Sequence, residues 1–133
     1  MTDIAVPESH ADLLALAIAP AMATIGPGGE PQCSPVWFEW ERGVIRVSLT
    51  TQRQKYRNLV ERPRVALAFV DPDDMYRSME LRGTTTSIEP DIDNALLNRL
   101  AKRYLGIDAY TFDADGTERV VVSVTPSHVT TWQ

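Results

Sequence analysis

Residues 31–38 read PQCSPVWF, residues 45–51 read IRVSLTT, and residues 52–59 read QRQKYRNL. The first two stretches alternate apolar and polar side chains, as strands do when one face is covered. In the second, Ile45, Val47 and Leu49 oppose Arg46, Ser48 and Thr50. The third predicts a short helix from residue 52 to about 61, with Thr51 as N-cap and Pro63 as its stop. Its first turns carry Arg53, Lys55 and Arg57, although the positive end of a helix dipole repels cations. A bound anion removes that conflict.

Working outward, a glycine-rich turn over 26–29 joins a strand over 21–25 to a return strand over 32–40. Residues 41–43 turn into the strand over 44–49. Residues 65–70 form an unbroken apolar run, the pattern of a central strand covered on both faces. A break at 71–74 precedes another alternating strand over 78–88. Ile92, Leu96, Leu100 and Tyr104 then recur at helical spacing, with Asp91 or Asp93 as cap. A loop over 106–119 with an Asp115-Gly116 turn leads to a last strand over 120–125, whose continuation past Pro126 towards Trp132 stays open. At the other end, residues 9–19 predict an opening helix with Ser9 as N-cap, Asp12 as its capping partner and Pro20 as its stop. Five or six antiparallel strands exceed what a one-faced open sheet of this size accommodates. Closure into a small barrel removes the exposed edges.

The chain has 133 residues, which fits one domain over 1–133. Apolar residues make up 44%, and no run approaches the ~20 needed to cross a bilayer. Residues 1–8 lack a basic segment followed by an apolar one, so no secretory leader is expected. A single cysteine, Cys33, suits the reducing cytoplasm. With His10 and His128 as the only histidines, no metal site is expected. A net charge of −5 argues against nucleic acid as a partner. Yet residues 52–64 carry Arg53, Lys55, Arg57, Arg62 and Arg64 against Glu61 alone, a local anion site on an acidic chain.

Three segments carry candidate chemistry, and each also has a plain structural reading. Ser48, Thr50 and Thr51 bring hydroxyls, Arg53 and Lys55 bring charge, and the helix start brings free amides; alternatively this is a capped surface helix with a solvated basic face. Gln32, Ser34, Pro35, Val36, Trp37 and Phe38 offer backbone groups and an apolar wall to a flat heterocycle; alternatively the aromatics are packing. Met75, Tyr76 and Arg77 close over a ligand, or belong to a connecting loop. No Ser/His/Asp set, dinucleotide fingerprint or phosphate-binding GK[ST] loop is present, and Cys33 lacks a nearby histidine. Any redox chemistry therefore has to come from a cofactor.

In the order of these segments, with residues 63–67 (PRVAL) and the Glu80 to Gly83 spacing, the chain resembles the pyridoxamine-phosphate-oxidase-like split β-barrel superfamily. Within it, the chain resembles the branch that uses the deazaflavin coenzyme F-420. The resemblance runs from Leu13 to Val129 and implies a six-stranded antiparallel split β-barrel (mainly β, α+β) with short flanking helices. It also implies a homodimer with cofactor sites at the subunit interface. Ser48, Thr50, Thr51, Arg53 and Lys55 would hold the phosphate, Gln32, Ser34 and Val36 would line the ring, and Arg57 and Asn58 would meet the anionic tail. Met75, Tyr76 and Arg77 would come from the partner. Pyridoxamine-phosphate oxidases carry an arginine on the strand matching 31–38 and a C-terminal arginine motif, and this chain has neither.

The implied activity is a cytoplasmic reductase passing hydride from reduced F-420 to an electron-poor double bond of a small molecule, such as an α,β-unsaturated ester or lactone. The proton would come from solvent or a donor near Tyr76, the sole catalytic candidate. The extra cations Arg57, Arg62 and Arg64 favour F-420. Flavin mononucleotide (FMN), in a flavin reductase or oxidase of the same fold, is the alternative, and a non-catalytic carrier of deazaflavin, flavin or haem is a further one.

Overall fold

The computed structural model describes residues 4–133; residues 1–3, part of the stretch read for a leader, lie outside the described residues. Seven strands form one antiparallel sheet: β1 (Ala21–Ile25), β2 (Pro31–Pro35), β3 (Phe38–Glu41), β4 (Val44–Thr50), β5 (Arg64–Asp71), β6 (Asp74–Pro90) and β7 (Arg119–Trp132). Their order is β2-β1-β5-β6-β7-β4-β3. Helix α1 (Gln54–Glu61) joins β4 to β5, and α2 (Ala95–Leu105) lies between β6 and β7. Among the described residues no helix is long and apolar enough to cross a membrane.

The two edge strands, β2 and β3, are separated in sequence by Val36 and Trp37 alone. Three Cα steps reach about 11 Å at most, whereas a flat seven-stranded sheet would hold its edges about 29 Å apart. The sheet is therefore rolled up. No ladder joins β2 to β3, so the roll keeps a seam and is not a hydrogen-bonded closed barrel. This corrects the six-strand expectation. The single strand read over 32–40 is two, because Pro35 brings no N–H to continue a ladder and the Val36 amide turns to the carbonyl of Pro20 (3.0 Å).

Alternation explains the interior. Ile45, Val47 and Leu49 of β4 face Val124, Val122 and Val120 of β7, while Leu67 and Phe69 of β5 face Leu81 and Met79 of β6, and all of these side chains are buried. Each such residue contributes about 1.5–3 kcal/mol. Phe38 meets Phe69 edge to face at 5.1 Å. The expectation that 65–70 is covered on both faces fails: Ala68 and Val70 are exposed. The long strands β6 and β7 bend together through register shifts at Arg82/Gly83 and Thr85/Ser87. At Gly83 a Cβ would stand 2.4 Å from the Thr125 carbonyl oxygen and 2.9 Å from Pro126 Cα. Only glycine fits there.

The opening helix shrinks to a single 3-10 turn, Ala11–Leu14. Leu13 and Leu14 are both buried while Ala15, Leu16 and Ala17 are exposed, so no helical stripe exists to drive a longer element. Ser9 does not cap it; its Oγ pairs with His10 Nδ1 (2.8 Å), and Asp12 is taken by Arg77. Asp91 caps α2 as expected, its two carboxylate oxygens accepting from the amides of Leu96 and Leu97, both at 3.0 Å.

Candidate functional site

Helix α1 begins two residues later than its sequence suggests. Arg53, in extended conformation, holds the N-cap position; no side chain caps the helix, and its first turn holds no acid. Thr51 is not the cap. Its amide donates to the Glu118 carbonyl (3.2 Å), which ties it to the chain entering β7. The amides of Gln54, Lys55 and Tyr56 are left without carbonyl partners among the described residues.

Beside this open end lies Lys55, 4% exposed. Its ammonium donates to the Ser34 hydroxyl and, at 3.4 Å, to the Ser34 carbonyl. Neither Lys55 nor Arg53 forms an ion pair with a carboxylate among the described residues. Burial pushes the Lys55 pKa down, and the Arg53 charge pushes the same way. A buried cation, a second unpaired cation and an uncapped helix start thus converge, each of them relieved by an anion.

These groups line a cleft of about 170 Å³. The end of β2 and the chain after it supply Ser34, Pro35, Val36 and Trp37, β4 supplies Ser48 and Leu49, and the opposite wall is Leu97, Tyr110 and Arg119. Trp37 stacks on Tyr104 (centroids 5.0 Å, planes 8° apart) and meets Tyr110 edge-on at 6.0 Å. Tyr104 is fixed in turn: its hydroxyl accepts from the Phe38 amide (3.2 Å) and donates to the Ile18 carbonyl (2.5 Å). Arg119 forms a two-point pair with Asp113 (2.8 and 2.9 Å), reaches Ser48 Oγ at 3.4 Å and lies 5.3 Å over the Tyr110 ring. The pairing raises the Arg119 pKa and lowers that of Asp113, on which Arg53 also acts.

Of the residues singled out from the sequence, Ser34, Pro35, Val36, Trp37, Ser48, Arg53 and Lys55 meet in the cleft. The others lie elsewhere. Thr50 is buried and accepts the Arg53 amide on its carbonyl. Asn58, fully buried, donates to Thr24 Oγ1 (3.0 Å) and Gln32 Oε1 (3.1 Å) and accepts from Gln54 Nε2 (2.8 Å). Gln32 and Asn58 thereby fasten α1 to the β1–β2 hairpin. Arg57 donates to Gln54 Oε1 (2.8 Å) and the Gln52 carbonyl (3.0 Å) on the outer side of the helix.

Met75 and Tyr76, at the start of β6, are 81% and 85% exposed. Arg77 does not project. It pairs with Asp12 and Asp71 and donates to the Ser9 carbonyl, fastening the N-terminal segment. Arg119, Tyr110 and Leu97 escaped the sequence reading. Only the β4–β7 register, which sets Arg119 opposite Thr50, brings that arginine to the site, and no local pattern encodes it.

Comparison with known proteins follows this geometry. The family model for pyridoxamine 5′-phosphate oxidase matches residues 6–133. A solved structure of an F-420 reductase is 38% identical, with a TM-score of 0.86, over 94% of this chain and 98% of that one. A conserved hypothetical protein from Mycobacterium tuberculosis is 26% identical with a TM-score of 0.74, over 100% of this chain and 88% of its own. General Stress Protein 26 from Bacillus anthracis shares the fold at 19% identity and a TM-score of 0.71, covering 94% and 92% of the two chains. No protein of curated function matches the chain in sequence.

Proposed function

The chain belongs to the pyridoxamine 5′-phosphate oxidase family, and from that premise we propose that it is an oxidoreductase using reduced coenzyme F-420. Its substrate class is a small electron-poor alkene such as an α,β-unsaturated ester or lactone. The observation that carries this reading is Lys55, a buried cation with no carboxylate, set beside unpaired Arg53 at an uncapped helix start. That donor set fits the cofactor's phosphate, and the likeness to an F-420 reductase at 38% identity supports a deazaflavin as the redox ring. When bound, the reduced deazaflavin supplies a hydride from its C5. Lys55, Arg53 and Ser48 hold the phosphate, and Ser34 and Val36 border the ring.

A cleft of about 170 Å³ holds an anionic end but not a tricyclic ring, since whole-ligand pockets run to roughly 300–1,000 Å³. This supports completion of the site by a second copy of the chain. In that homodimer Met75 and Tyr76 are the projecting residues that reach the partner's ring, and Tyr76 is the candidate proton donor, while Arg77 stays committed within its own subunit. Arg57 and Arg62, on a groove along the outer side of α1, face the cofactor's glutamate tail. Because the phosphate-binding groups do not distinguish one phosphorylated ring from another, FMN is the second reading.

Titrating the ligand-free protein with F-420 and with FMN, followed by fluorescence quenching, separates the two. Tighter binding of F-420, and oxidation of its reduced form on adding an unsaturated lactone, are expected. Tighter binding of FMN, or no binding of F-420, contradicts the proposal.

A further inference from the structure

The side chains of Met75 and Tyr76 are exposed, yet the backbone that carries them is held from below. The Tyr76 amide donates to Asp74 Oδ1 (3.1 Å). The next residue, Arg77, keeps a side chain only 16% exposed and uses all three guanidinium nitrogens. Nε donates to Asp71 Oδ2 (2.9 Å), Nη1 to Asp12 Oδ1 (2.9 Å) and the Ser9 carbonyl (2.8 Å), and Nη2 to Asp12 Oδ2. A two-point pair such as that with Asp12 fixes direction as well as distance. Its far end is rooted in the core: His10, Leu13 and Leu14 are buried, and His10 Nε2 donates to the Trp132 carbonyl (2.9 Å). Ser78, one residue past Arg77, pairs with Trp132 in the β6–β7 ladder. The start of β6 is thus clamped both by its own ladder and by a turn 65 residues away in sequence. A segment whose side chains lie open to water gains little stability from such fastening. An exposed phenol gains a fixed position, which a reacting group needs.

We propose that Asp12 is a positioning residue: through Arg77, the N-terminal turn sets the place of Tyr76, the phenol that one copy of the chain presents to its partner's site. The inference rests on the functional reading above, in which Tyr76 gives the proton that completes the reduction. That proton passes from the Tyr76 hydroxyl to the alkene carbon that does not receive the hydride, and solvent returns it to the phenolate. The competing role is the reverse one, in which Arg77 serves only to hold the N-terminal segment.

Asp12→Ala is the perturbation, because this side chain is 54% exposed and its loss leaves the core unchanged. The wild type, Asp12→Ala, Tyr76→Phe and the double variant form a cycle. Each is titrated with F-420, assayed for turnover of reduced F-420 with an unsaturated lactone, and followed by amide hydrogen exchange without ligand. Asp12→Ala should keep wild-type F-420 affinity, since Lys55 and Arg53 are untouched, while kcat falls about 10- to 100-fold. Amides 75–77 should exchange faster, with the β6–β7 ladder still protected. In the Tyr76→Phe background Asp12→Ala should cost nothing further in kcat. Wild-type kcat and exchange in Asp12→Ala, or a loss that adds in full to that of Tyr76→Phe, overturns the proposal. Unchanged turnover in Tyr76→Phe with F-420 still bound removes the proton donor, and this inference with it, but leaves the cofactor reading in place. A wild type that takes up no F-420 overturns that reading itself.

Discussion

Replacing Lys55 with methionine should strengthen the ligand-free fold and weaken the ligand-bound one. The side chain is 4% exposed and, among the described residues, has no carboxylate partner and bonds only to Ser34. Removing a buried charge of this kind, with a chain of similar volume left behind, stabilises by about 1–3 kcal/mol. Losing the bonds to half-exposed Ser34 costs about 1 kcal/mol. The net gain of roughly 0–2 kcal/mol corresponds to a Tm rise of up to about 7 °C at this chain length. Affinity for the anion should move the other way. A charge-assisted bond is worth about 1.5–3 kcal/mol, which is roughly 10- to 150-fold in Kd. At a ligand concentration of 100 times the wild-type Kd, the wild type gains about 2.7 kcal/mol. A variant weakened about 30-fold gains only about 0.9 kcal/mol by the same relation. The stability gap seen without ligand therefore closes or reverses with it. Thermal unfolding with and without F-420, beside a fluorescence titration, measures both quantities. A variant that is less stable when empty and binds as tightly as the wild type would refute the reasoning, because Lys55 would then be an ordinary packing residue.

Other consequences can be checked independently. Because the folded Lys55 pKa lies below its ordinary 10.5, the unfolded chain binds more protons in the interval between the two, and stability from this group rises with pH there. The wild type should accordingly gain on the methionine variant in denaturant titrations as pH is raised towards 10.5, and a constant difference across that range would contradict the shift. Asp113 acts with the same sign at the acid end: Arg119 holds its pKa below 3.8, so its contribution is complete above that value and lost as pH falls beneath it. Tryptophan fluorescence from Trp37, which touches Tyr110, should report an acid transition that Asp113→Asn abolishes. Gly83→Ala drives a methyl into the Thr125 and Pro126 backbone and should cost about 1–3 kcal/mol or more; a neutral result in urea unfolding would mean that β6 and β7 separate freely there. Asn58→Leu strands the polar groups of Gln32, Gln54 and Thr24 beneath α1 and should cost about 2–4 kcal/mol, with anion affinity falling as the helix start loosens.

Much of the sheet was readable because burial on one face imposes a period of two. Residues 21–25 and 44–49 were placed within a residue of their observed ends, and of the two capping candidates, Asp91 and Asp93, it is Asp91 that accepts the helix amides. What failed has a common cause, since each case was decided by contacts distant in sequence. Residues 65–70 look apolar throughout, yet the small outer side chains Ala66 and Ala68 need no cover. Pro35 is a local reason for the break at Val36 and Trp37, but that the rolled sheet there carries the chain from one edge to the other has no local signal. In the site, the conflict of cations at a helix start was visible in residues 52–57, and it led to Lys55 and Arg53. The same residues gave no hint that Asn58 and Gln32 would be spent on fastening the helix. Arg119 became part of the cleft only through strand register, and Arg77, read as a ligand contact, is held by two aspartates that lie 65 and 6 residues away.

The central claim is that the mouth of α1 grips the phosphate of a redox cofactor. A crystal structure of the full chain grown with F-420 tests it most directly: phosphate oxygens should lie about 2.7–3.2 Å from Lys55 Nζ and from the amides that open the helix. Cofactor density elsewhere on the molecule, with Lys55 still bonded only to Ser34, would contradict it.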